Sequence, residues 1–157
     1  MLSPFASRRR FSDLSEAEIL ALAISSEEVD ARIYATYAEQ LRHAYPSTAE
    51  MFDAMAAEED GHRRLLIDTF ERRFGKVIPL IRREHVAGFY SRRPVWLVQN
   101  LGLDRIRAEA ARMEDDAANF YVQAAQRATD PSTRKLLGDL AAAERKHEHR
   151  AEEIAAA

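Results

Sequence analysis

The chain has 157 residues and no cysteine, with 31% charged residues, 46% hydrophobic residues and a formal net charge of −3. The missing cysteine excludes disulfides, iron–sulfur clusters, thiolate zinc and cysteine nucleophiles, so any metal must be held by carboxylate and imidazole. The mild acidity leaves no electrostatic footprint for a nucleic acid, no run of 18 apolar residues offers a membrane span, and the length suits one domain with a sizeable core.

Residues 1–14 read as a flexible basic arm. Its "SRRRFS" resembles a twin-arginine export signal in its first residues only. The amphipathic, acidic "DLSEAEILALAISSEEVD" follows where an apolar segment would be needed. Residues 15–157 read as one helical bundle. The first helix, about 15–45, opens on Ser15 with Glu18 three residues on, a capping box, and Pro46 ends it. The second, about 47–74, opens on Ser47 with Glu50 and stops before Gly75. The third, about 104–129, starts at Asp104. The fourth, about 131–155, has Asp130 as N-cap and Pro131 in the first helical position.

The first and second helices are separated by only a few residues, as are the third and fourth, so each pair forms an antiparallel hairpin. Between the pairs lies "GKVIPLIRREHVAGFYSRRPVWLVQNLGL", too long for a bundle turn. It is long enough to run back along the bundle, so that the third helix starts beside the start of the second. A short extra helix is expected in it, around Leu80 to Tyr90. The expected fold class is therefore all-α, an antiparallel four-helix bundle made of two hairpins and one long crossover.

At the 3-4 spacing of a bundle core, each helix shows an apolar stripe interrupted near its middle by a carboxylate. The four acids are Glu27, Glu59, Glu114 and Glu144, and the second and fourth helices add His62 and His147 three residues after their glutamates. An i,i+3 pair projects from one helix face toward a shared point. Counting helical rise from each hairpin turn puts all six side chains at one height to within roughly one turn. Four facing acids in a dry interior repel one another unless cations cancel their charge, and two divalent ions do so. Each leading glutamate is followed seven residues on by a tyrosine, Glu27 by Tyr34 and Glu114 by Tyr121. The chain thus reads as an internal repeat of one hairpin.

These residues resemble the ferritin-like di-iron carboxylate superfamily. Within it, "FSDLSEAEILALAISSEEVDARIYATYAEQLR", "AAEEDGHRRLL", "PLIRREHV" and "RKLLGDLAAAE" are similar to the membrane-bound ferritins of the erythrin–vacuolar iron transporter family. The resemblance spans nearly the whole chain. It implies a di-iron site ligated by Glu27, Glu59, His62, Glu114, Glu144 and His147, with Mn or Zn as substitutes for Fe. It also implies ferrous iron oxidised by O2 or H2O2, a membrane transporter domain C-terminal to this chain, and a place on the cytoplasmic side of the inner membrane. A role in iron homeostasis and resistance to oxidative stress goes with it. Ala117 and Ala118 stand where relatives often carry further acids after the third-helix glutamate.

Two other functions fit the residues: a free-standing peroxide-reducing enzyme of rubrerythrin type, and a metal-independent interaction bundle. Asp30 lies one turn past Glu27 on the same face and breaks the repeat, its counterpart being Ala117. It reads either as an acceptor for a ligand histidine or auxiliary ligand, or as a surface acid turned outward. Tyr34 and Tyr121 read either as hydrogen-bond donors beside the site or as core aromatics. The arginine pairs 63–64, 72–73, 82–83 and 92–93 read as a solvated face, and no inward Arg or Lys is expected near the acids. Trp96 belongs to crossover packing or to a contact between copies, and an apolar crossover points to a homodimer.

Overall fold

In this computed structural model the described residues are 9–87 and 101–156, with residues 148 and 151–156 described by backbone alone. Four helices form the expected bundle: α1 (Glu16–Leu41), α2 (Pro46–Phe74), α3 (Leu103–Arg127) and α4 (Pro131–Ala156). The capping box at α1 is complete. The Ser15 hydroxyl accepts from the Glu18 amide at 3.1 Å, and the Glu18 carboxylate accepts from the Ser15 amide at 3.0 Å. At α4 the Asp130 carboxylate accepts from the Thr133 amide at 2.9 Å.

The first turn differs from the sequence expectation. α1 stops at Leu41, and Pro46 opens α2 rather than closing α1. Proline lacks the amide that a first helical residue would leave unpaired, and its fixed φ suits that position. Ser47 therefore lies inside the helix and makes no cap. The other end of α2 closes at Gly75, whose φ of 92° is open to glycine without strain and whose amide returns to the Glu71 carbonyl at 3.2 Å. α3 starts one residue early, with Gly102 before it, and ends at Arg127 rather than about 129.

Two apolar clusters fill the bundle, one toward each end. The first joins Leu20, Leu22, Leu66, Phe70, Phe120, Tyr121, Leu137 and Leu140. The second joins Tyr34, Tyr37, Phe52, Met55, Ile106 and Met113. The amino end of α1 therefore meets the carboxyl ends of α2 and α3, and Ile106 near the start of α3 packs with Phe52 near the start of α2. The end of α2 and the start of α3 thus lie at opposite ends of the bundle.

Within the described part of the crossover the short extra helix is a single 3-10 turn at Arg83–His85, followed by a two-residue strand, β2 (Val86–Ala87). The expected flexible arm, by contrast, is fixed from residue 9 onward. β1 (Arg9–Arg10) pairs in parallel with β2, Phe11 meets Phe120 edge-on at 5.9 Å, and Leu14 is buried in the first cluster. The reason is apolar: Phe11 and Leu14 have a core to enter, and the exposed Arg9 finds Glu18. Trp96 and the Arg92–Arg93 pair lie outside the described residues.

Candidate metal centre

Between the two apolar clusters sits a polar layer. Glu27 comes from α1, Glu59 and His62 from α2, Glu114 from α3, and Glu144 and His147 from α4. The four glutamates are at most 3% exposed. All six side chains predicted as ligands converge, in two overlapping groups: Glu27, Glu59, His62 and Glu144, then Glu59, Glu114, Glu144 and His147. Within each group the candidate ligand atoms lie within 4.8 Å of one another. Glu59 and Glu144 belong to both.

The facing atoms have no hydrogen-bond partners. Glu27 Oε2, Glu59 Oε1, His62 Nδ1, Glu114 Oε2, both Glu144 oxygens and His147 Nδ1 are all buried and unpaired. His147 Nδ1 stands 3.2 Å from Glu59 Oε1 and 3.4 Å from Glu114 Oε2, and His62 Nδ1 stands 3.3 Å from Glu144 Oε1. The two imidazoles lie nearly parallel, centroids 6.1 Å apart. Seven orphaned donors of lone pairs, converging on one layer, are costly to bury. Oxygen-rich ligation with one imidazole per position suits Fe(II) and Mn(II), and accommodates Zn(II). The residues fit a pair of divalent ions.

Three outward-facing atoms, by contrast, are tied. Tyr34 on α1 donates its hydroxyl to Glu114 Oε1 on α3, and Tyr121 on α3 donates to Glu27 Oε1 on α1. Each hairpin thus steadies the leading glutamate of the other. Both tyrosines are fully buried in the apolar clusters as well, so the two sequence readings of them hold together. His147 Nε2 contacts Glu58 Oε2, and Glu58 Oε1 accepts from Arg150 Nη1 at 3.1 Å.

The electrostatics of the layer follow from this crowding. Burial, then the neighbouring carboxylates Glu27 and Glu144, pushes Glu59 well above its ordinary 4.5. Burial, then the close approach of the Glu114 carboxylate and the charge of Glu27, does the same to Glu144. Burial and the adjacent acids raise both tyrosines well above 10.0. Burial works against the charge of His147, but Glu114 and Glu58 outweigh it and raise the imidazole above 6.5. Burial likewise works against Glu58, where His147 and Arg150 prevail and hold the carboxyl below 4.5.

Asp30 takes a role that sequence reading did not foresee. It is 4% exposed, and its Oδ1 accepts from Arg83 Nη1 at 3.0 Å. Arg83 is itself buried, which corrects the reading of the 82–83 pair as a solvated face and of the cluster's surroundings as free of arginine. The arginine arrives from the crossover, whose path has no helical register to reveal it. Asp30 is absent from both candidate ligand groups, and the guanidinium supplies its partner. Glu58 and Arg150 were also missed. The doublet Glu58–Glu59, with Ala143 before Glu144 in the second copy, was the available signal for Glu58.

Comparison with known proteins places this arrangement. The sequence model of the family described as rubrerythrin matches residues 18–155, nearly the whole chain. Among solved structures, a hypothetical protein from Pyrococcus furiosus superposes with a TM-score of 0.77 at 25% identity, covering 91% of this chain and 89% of that one. No curated protein matches. The ferritin-like, rubrerythrin-type bundle is thereby established for the fold. The narrower resemblance to membrane-bound ferritins finds no counterpart in these comparisons, and no helix among the described residues is long and apolar enough to cross a membrane.

Proposed function

This chain belongs to the rubrerythrin family, and from that premise we propose that it holds two iron ions and oxidises ferrous iron with O2 or H2O2. The observation that carries the reading is the set of seven buried, unpaired oxygen and nitrogen atoms directed at one another from four helices. Glu27, Glu59, His62 and Glu144 would hold one ion, and Glu59, Glu114, Glu144 and His147 the other. When bound, a ferrous pair supplies two electrons to a single oxidant. The protein's part is to place and shield. Glu59 and Glu144 belong to both groups and would contribute to holding both ions. Tyr34 and Tyr121 hold Glu114 and Glu27 in place by their outer oxygens. The apolar clusters on either side keep bulk water from the layer.

The test is anaerobic titration of the metal-free chain with Fe(II), followed by addition of oxidant. Two ions per chain and a rise of ferric absorption within one burst are expected. No bound iron would leave the metal-independent interaction bundle standing. Sustained consumption of peroxide with an electron donor would instead favour the peroxide-reducing enzyme, a reading that family membership supports.

Coupling to iron export is a further proposal, supported by the likeness of the α1, α2 and crossover segments to membrane-bound ferritins. On that reading the domain sits on the cytoplasmic side of the inner membrane beside a transporter domain, and serves iron homeostasis and resistance to oxidative stress. Cells lacking the gene would then accumulate iron and become sensitive to peroxide. Unchanged iron content would remove the export role and leave the iron chemistry in place.

A further inference from the structure

We propose that the two metal positions are unequal: the one built around Glu114 and His147 fills first and holds its ion more tightly than the one built around Glu27 and His62, and Glu58 is the positioning residue responsible. This rests on the two-metal reading above.

The hairpin repeat predicts equivalent positions, and the side chains depart from that equivalence at the histidines. His147 is 1% exposed, and its Nε2 is tied to Glu58, which Arg150 secures from its other oxygen. An imidazole that donates Nε2–H to a carboxylate keeps its lone pair on Nδ1, the atom that faces Glu59, Glu114 and Glu144. Tautomer and ring orientation are therefore set before the metal arrives, and the neighbouring carboxylate makes the imidazole a stronger donor. His62 lacks this support. Ala143 occupies the place in the second copy that Glu58 occupies in the first, and among the described residues none is bonded to His62 Nε2. The His62 side chain is also 13% exposed, which leaves its position nearer to solvent. Fixing a ligand histidine through an outer carboxylate is worth roughly tenfold to a hundredfold in metal affinity. The tight position would thus stay loaded while the His62 position exchanges its ion.

The experiment uses Co(II) as the probe, titrated anaerobically into the metal-free full chain and followed by its visible absorption and by calorimetry. Two steps separated by roughly tenfold to a hundredfold are expected. Glu58→Ala should weaken the first step by about that factor, bringing the two constants together, and Glu58→Gln should recover part of the loss because its carbonyl still accepts from Nε2–H. In wild-type crystals given one equivalent of Co(II), anomalous density should concentrate beside His147, a result independent of how the variants fold. Equal constants in the wild type, or density shared evenly or favouring His62, would overturn the ordering. A first step unchanged in Glu58→Ala would overturn the role of Glu58. Failure of any cobalt to bind would instead overturn the two-metal reading itself.

Discussion

Tyr34 and Tyr121 show how a buried carboxylate is prepared for a cation. Each hydroxyl satisfies the outer oxygen of a glutamate and leaves the inner one free. Hydrogen bonds to charged groups are worth about 1.5–3 kcal/mol, so Tyr34→Phe or Tyr121→Phe should cost the metal-loaded protein about that much. Chemical denaturation of loaded wild type and variants measures it, and two ions per chain should still bind. The same crowding sets a pH dependence for the metal-free protein. Glu59 and Glu144 have folded-state values raised above the ordinary 4.5, and His147 is raised above 6.5. A raised value favours the protonated form on folding, so its stabilising contribution is complete below the unfolded value and disappears as pH climbs through the folded one. The melting temperature of the metal-free chain should therefore fall from about pH 5 upward, and bound divalent metal should reverse the trend. Calorimetric scans at several pH values, with and without Zn(II), check both.

At the scale of the element, the site is carried by regular helices and trimmed by irregular segments, and this division decided what could be read in advance. Glu27, Glu59, His62, Glu114, Glu144 and His147 lie on long amphipathic helices, where a spacing of three or four residues fixes which side chains share a face. Arg83 lies in a crossover with no period, so nothing in the sequence linked it to Asp30 across more than fifty residues. The β1–β2 pairing was hidden for the same reason, since a two-residue strand carries no alternation. Breaking a buried ion pair by removing one member costs about 3–5 kcal/mol, so Asp30→Ala should destabilise the fold by that amount. Iron stoichiometry should remain two per chain. A lost equivalent of iron in a folded Asp30→Ala protein would return Asp30 to the ligands. At the head of α1, Ser15→Ala removes the box that joins Ser15 to Glu18 and should cost about 1 kcal/mol in chemical denaturation.

For the whole molecule, the bundle followed from four periodic segments, two short turns and one long connection. The turn at Pro46 was misread because proline can close one helix or open the next, and only the path of residues 42–45 decides which. Assembly is the property least visible in one chain. Val77 and Leu80 in the crossover are 87% and 67% exposed, and Leu65 and Phe74 on α2 are also open to solvent. A homodimer would give these side chains something to cover them, and sedimentation equilibrium at micromolar concentration should return about twice the 17.9 kDa of one chain. A mass of one chain would remove the dimer without touching the metal centre.

Each candidate position takes three of its four residues from one hairpin and the fourth from the other, Glu144 in one case and Glu59 in the other. Bound ions would therefore act as rivets along the seam between two prefabricated halves. Chelation should unzip that seam before it frays either hairpin, so amide exchange would quicken first on the α1–α3 and α2–α4 flanks, while the tight α1–α2 and α3–α4 pairings hold.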